Sequence, residues 1–126
     1  MRMILTVLLA LAAPSASAQN PPPPTVEVRL SSFDYSPKEI RLRAGQPVSL
    51  SLTNTSGGGH DFSAPEFFAA ARILPGGTAV PHRGRIEVPS NQTRIVRLVP
   101  ARGRYRLRCT HTLHSTLGMR GRIIVE

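Results

Sequence analysis

The 126-residue sequence predicts an all-β domain, two sheets packed as a sandwich with one short helix or flap let into it. Two observations carry that prediction. From Thr25 onward, apolar and polar residues alternate with a period of two, which puts successive side chains on opposite faces of a strand. Turn-forming groups such as Ala44-Gly45-Gln46-Pro47, Pro89-Ser90-Asn91-Gln92 and Pro100-Ala101-Arg102-Gly103 cut the pattern into short pieces. Short strands at such spacing pack as a sandwich, and their inward-facing residues fill the space between the sheets.

The start of the chain stands apart. Arg2 gives a positive beginning, Met3 to Ala13 is apolar, and Ala16-Ser17-Ala18 supplies the small residues of a cleavage site. Residues 1–18 therefore read as a secretory signal peptide cut after about Ala18, which makes the product periplasmic or secreted. The apolar run is too short for a bilayer span, so no stable membrane span is expected after cleavage; retention as an anchor is the competing reading. Residues 19–24 contain four consecutive prolines, an extended lead-in without hydrogen bonds of its own. Residues 25–126 form the domain itself, expected to be a monomer.

Within it, Val26, Val28 and Leu30 alternate with polar residues, and Phe33 and Tyr35 flank a turn closed by Ser36-Pro37. Ile40 and Leu42 alternate with Arg41 and Arg43. After the Ala44–Pro47 turn, Val48, Leu50 and Leu52 mark a third strand running to Asn54, which is expected to deliver His60 through the flexible Gly57-Gly58-Gly59. Residues 61–81 break the rhythm. Ser63-Ala64-Pro65-Glu66 has the form of a capping box, and 67–74 would make about two helical turns before Pro75-Gly76-Gly77. Strands resume at 85–88, 93–99, 105–109 and 122–125. His82, in Pro81-His82-Arg83, is expected to face solvent.

One stretch carries the chemistry. Cys109-Thr110-His111-Thr112-Leu113-His114-Ser115-Thr116-Leu117-Gly118-Met119 holds the single cysteine, two of the four histidines and a methionine. Thiolate, imidazole and thioether are the soft donors that suit copper, and a two-histidine, one-cysteine plane with a long axial methionine marks electron-transfer copper. The further histidine is His60, so the predicted ligands of one copper ion per chain are His60, Cys109, His114 and Met119. Zinc is the nearest competitor, but a thioether is a poor zinc ligand. Taken singly, each residue has a plainer reading: a buried Cys as a small hydrophobe, a Met as core filler, a His at the surface. A single Cys in an exported protein cannot form an internal disulfide, and ligation would protect it. His111 lies only two residues beyond Cys109 and is expected to point out of the site.

These residues resemble the cupredoxins, the blue copper family. The spacing of Cys109, His114 and Met119, with four residues in each interval, is similar to the longer loops of rusticyanin and auracyanin. Gly103-Arg104-Tyr105-Arg106-Leu107-Arg108-Cys109 resembles the family's strand leading into the site, and Gly118-Met119-Arg120-Gly121-Arg122-Ile123 its strand leading out. Phe33-x-Tyr35-x-Pro37, Ala44-Gly45 and the terminal Asn54 are similar to the first half of many bacterial members. The resemblance implies a Greek-key sandwich and a type 1 copper carrier, not an enzyme, that shuttles single electrons between redox partner proteins. It also implies a tie between the first-histidine loop and the cysteine loop. Where plastocyanin and azurin usually place Asn, this chain has Asp61, whose carboxylate can accept from Thr110; the alternative is a loop carboxylate facing water.

Charge is the other conspicuous feature. The formal net charge is +9, about +8 once Arg2 leaves with the signal. Arg104, Arg106 and Arg108 alternate with Tyr105, Leu107 and Cys109, and Arg120 and Arg122 sit on the expected neighbouring strand, which makes a basic face. Such a face can steer an acidic redox partner; a solvated, arginine-rich surface is the plainer reading. Nucleic acid is not expected, because export and the lack of interleaved aromatics argue against it. No Ser-His-Asp set, carboxylate pair or phosphate-cradling glycine loop stands out. A periplasmic copper-binding protein for homeostasis, delivery or resistance, and a plain interaction module, remain as competing classes.

Overall fold

The computed structural model describes residues 9–17, 21–111 and 118–126. Ten strands and one helix are described: β1 (Thr25–Ser31), β2 (Asp34–Ser36), β3 (Glu39–Leu42), β4 (Val48–Asn54), β5 (His60–Ser63), α1 (Pro65–Ala70), β6 (Arg72–Leu74), β7 (Arg85–Val88), β8 (Thr93–Val99), β9 (Gly103–Arg108) and β10 (Arg120–Val125). They form two five-stranded sheets, in the orders β2-β1-β4-β8-β6 and β3-β10-β9-β5-β7. Both sheets are mixed: β1 runs parallel to β4 and β3 parallel to β10, while the other pairs are antiparallel. Residues 9–17 form no helix or strand. Among the described residues no helix is long and apolar enough to cross a membrane.

The period-two pattern explains the layering. In β4, Val48, Leu50, Leu52 and Asn54 are buried, and Ser49, Ser51 and Thr53 lie on the other face. Val28 and Leu30 from β1, Ile40 and Leu42 from β3, Val96 and Leu98 from β8, and Leu107 and Ile123 from the second sheet complete one core. Burying a side chain of this size contributes roughly 1.5–3 kcal/mol, so the alternation fixes which face of each strand turns inward.

Three features of the segment after Asn54 differ from the sequence reading. The strand β4 ends at Asn54 as expected, but His60 opens a separate strand, β5, where a glycine loop alone was expected to deliver it. All four residues of β5 are buried, so it has no polar alternation to reveal it. Ser63 caps nothing; it lies in β5 opposite Arg85, while Ala64 is the N-cap, without a side-chain hydrogen bond, and Pro65 begins the helix. The helix is also shorter than expected, because Ala71 turns extended and Arg72–Leu74 becomes β6, pairing with Val99, Leu98 and Arg97 of β8. An unpaired edge outweighed the helix propensity of the alanine run. The turn from His82 to Arg85 then needs two positive φ angles, at Arg83 and Gly84. A Cβ on Gly84 would stand 2.5 Å from Pro65 Cα, so this turn can approach the helix start only with glycine there.

Candidate metal centre

Three of the four expected ligands lie in the described residues, and they meet at one end of the second sheet. His60 starts β5, Cys109 follows the last residue of β9, and Met119 precedes the first residue of β10. Cys109 donates its backbone N–H to the carbonyl of Met119 at 3.1 Å, so the β9–β10 ladder carries on to the site. Cys109 and Met119 are wholly buried, and His60 is 3% exposed. His60 Nδ1 stands 3.9 Å from Cys109 Sγ. Ligand bonds of about 2.1 Å to nitrogen and 2.3 Å to sulfur put two donors on a shared ion roughly 3.6–3.8 Å apart at near-trigonal angles. The donor pair therefore fits a small soft cation. His114 falls within 112–117, outside the described residues.

The loops that carry these side chains are cross-tied. Thr110 donates its backbone N–H to Asp61 Oδ1 at 2.8 Å and its hydroxyl to Asp61 Oδ2. The tie anticipated between the His60 and Cys109 loops is thus present, with both carboxylate oxygens engaged. Arg85 donates to Thr110 Oγ1 at 3.2 Å, setting a positive charge one group beyond the buried carboxylate. The Asp61 N–H points at Cys109 Sγ, 3.5 Å away. Burial is the largest influence on the Cys109 thiol and pushes its pKa up; the backbone N–H groups of Asp61 and His111 pull it down, and the Asp61 charge pushes it up again. Without a cation nearby this thiol favours its neutral form, so a metal that binds it must displace a proton.

Two further side chains hold the site, and the sequence reading gave neither a role. Tyr35, fully buried in the first sheet, donates its hydroxyl to the Asp61 carbonyl at 2.6 Å. Burial, then the charges of Cys109 and Asp61, push its pKa far up, so the phenol remains a donor. Asn54 Nδ2 donates to the carbonyls of Gly58 and Val88, both at 2.8 Å, while Asn54 Oδ1 accepts from the N–H and hydroxyl of Ser56. One buried amide therefore anchors the glycine loop that leads to His60. The only hints in the sequence were the positions of Tyr35 and Asn54 in motifs shared with a known family.

The remaining histidines point elsewhere. His111 Nε2 lies 2.9 Å from Glu87 Oε2, and its ring packs beside Gly59. Asp61, Glu87 and His111 bring ligand atoms within 4.8 Å of one another, but Thr110 occupies Asp61 and the other two engage each other. His82 is exposed and pairs through its backbone with Arg85.

Comparison with known proteins gives a consistent outline. The Cupredoxin-like domain family matches residues 1–125. Among solved structures, auracyanin B aligns with a TM-score of 0.60 and 21% identity over 89% of this chain and 95% of its own. Auracyanin A, a "blue" copper protein from Chloroflexus aurantiacus, gives 0.57 and 21% over 82% and 99%. A multicopper oxidase from Campylobacter jejuni gives 0.63 and 16% over 88% of this chain but 32% of the oxidase. No curated protein matches by sequence.

Proposed function

Because the chain belongs to the cupredoxin-like family, we propose that it is an exported mononuclear type 1 copper protein that carries single electrons between redox partner proteins. The observation that carries this reading is the buried His60–Cys109 pair, 3.9 Å apart, with Met119 buried beside the cysteine strand. His60, Cys109 and His114 would hold the ion, with Met119 as a weaker fourth donor. Copper held there would supply one-electron chemistry between its two oxidation states. The chain's own part is to keep the donors still and dry. Asp61 with Thr110, Asn54 and Tyr35 restrain the two loops, and so little rearrangement is needed when the charge of the site changes. That restraint favours a carrier over a delivery protein, which would expose its ligands on mobile loops. Export rests on residues 1–18 as a signal peptide.

Adding copper(II) to the purified protein and recording the visible spectrum tests this reading. Thiolate bonded to copper should give intense colour that bleaches on reduction, and Cys109→Ser should abolish it. A colourless, redox-silent copper complex would overturn the carrier function.

A further inference from the structure

The outer face of the second sheet carries an arrangement that folding alone does not explain. In the β9–β10 register, Arg108 stands opposite Arg120 and Arg106 opposite Arg122. All four are exposed, and Arg104 continues the row. Side chains directly opposite in an antiparallel pair have Cβ atoms about 4.5–5.5 Å apart, and like charges there destabilise the sheet. Among the described residues, Arg104, Arg106, Arg108 and Arg122 form no ion pair. The strands farther out are different: on β3, next to β10, Glu39 pairs with Arg41, and on β7, separated from β9 by β5, Glu87 engages His111. The result is a basic strip two strands wide, with a carboxylate on β3 beside it and another on β7 beyond the buried β5.

The upper end of the strip adjoins the metal centre. Arg108 immediately precedes Cys109, and Arg85 bonds Thr110. At the lower end a depression of about 250 Å³ opens between Arg104, Arg106 and Arg122, with Tyr105, Gly121 and Ile124 completing its lining. Ile124 is 3% exposed and supplies an apolar floor.

We propose that this strip is the docking surface for an acidic partner protein, which lays a narrow ridge of carboxylates along β9 and β10 and seats an apolar side chain over Ile124. This deepens the carrier reading and rests on it for what passes between the two proteins; the docking itself rests only on the sheet. A narrow ridge fits better than a flat anionic membrane, because a bilayer would also meet the carboxylates on β3 and β7. The large exposed hydrophobics among the described residues, Leu9, Leu11, Phe33 and Val80, lie on neither β9 nor β10, so these two strands offer no large apolar side chain to insert into lipid.

The test uses the full chain as purified, with poly-L-glutamate as the acidic probe and vesicles of phosphatidylglycerol in phosphatidylcholine as the membrane probe. Amide shift mapping should place the polyglutamate response on β9 and β10. Arg106→Gln with Arg122→Gln should weaken polyglutamate binding about tenfold at low salt, and the difference should fade as the Debye length falls below about 10 Å. Arg29→Gln with Arg72→Gln, an equal charge change on exposed residues of the first sheet, should weaken it less than about threefold. Equal losses from the two pairs would overturn the proposal in favour of net charge alone. Tighter binding to vesicles than to polyglutamate, lost in the β9–β10 variant, would overturn it in favour of a membrane. Neither result depends on the copper spectrum, so failure of docking and failure of the carrier reading are told apart.

Discussion

The two sheets do different work. The second sheet bears His60, Cys109 and Met119 at one end and the arginine strip on its outer face. The first bears none of the three described ligands, yet its Tyr35 and Asn54 reach out to bond Asp61, Gly58 and Val88. Donor chemistry is concentrated on one layer, while part of the restraint comes from the other. On that division, changes in the first sheet should cost stability while leaving the copper colour, whereas loss of Cys109 should remove the colour with a modest effect on folding.

The largest stability effect is expected at Asn54. Asn54→Ala would leave the Val88 carbonyl and the Ser56 backbone N–H without their buried partner, while the Gly58 carbonyl keeps the Ser56 hydroxyl, and an unsatisfied buried group costs about 1–3 kcal/mol. Denaturant unfolding should register a loss of about 2–4 kcal/mol, with the copper spectrum kept in the folded fraction. A loss below about 1 kcal/mol would mean that water replaces the amide and that the first sheet restrains the site less than its hydrogen bonds suggest. Tyr35→Phe should cost less, about 1–2 kcal/mol, because only the Asp61 carbonyl loses its donor and the ring still packs edge-on against Phe62 at 6.0 Å. Should Tyr35→Phe bleach the colour as Cys109→Ser does, the separation between layers would fail.

How much of this was legible in the sequence depended on how local the signal was. β1, β4, β8 and β9 alternate clearly because one face of each meets the core and the other meets water. β5 was hidden because both of its faces are covered, and β6 because it is three residues long and directly follows a helix rich in alanine. The candidate donors announced themselves through soft side chains at short spacing. The tie from Asp61 to Thr110 was accessible only by resemblance, since it spans 49 positions in sequence. The role of Asn54 had no signature of its own: an Asn ending a strand reads as turn chemistry, and its partner Val88 lies 34 positions away, where only the folded chain brings it.

The smallest expected effect sharpens the division within the second sheet itself. His111 is two residues from Cys109 and its ring centre is 6.4 Å from that of His60, so proximity alone would make it a rival ligand. Its Nε2, however, lies 2.9 Å from a Glu87 carboxylate oxygen on the sheet edge, and its ring covers Gly59. Glu87 is about half exposed, with a side chain at 54%, and such partly solvated pairs contribute about 0–1 kcal/mol. His111→Ala should therefore keep the colour and lose less than about 1 kcal/mol of stability, with Glu87→Gln behaving alike. Loss of colour in His111→Ala, with colour kept in Glu87→Gln, would move His111 into the coordination set and return the position of His114 to question.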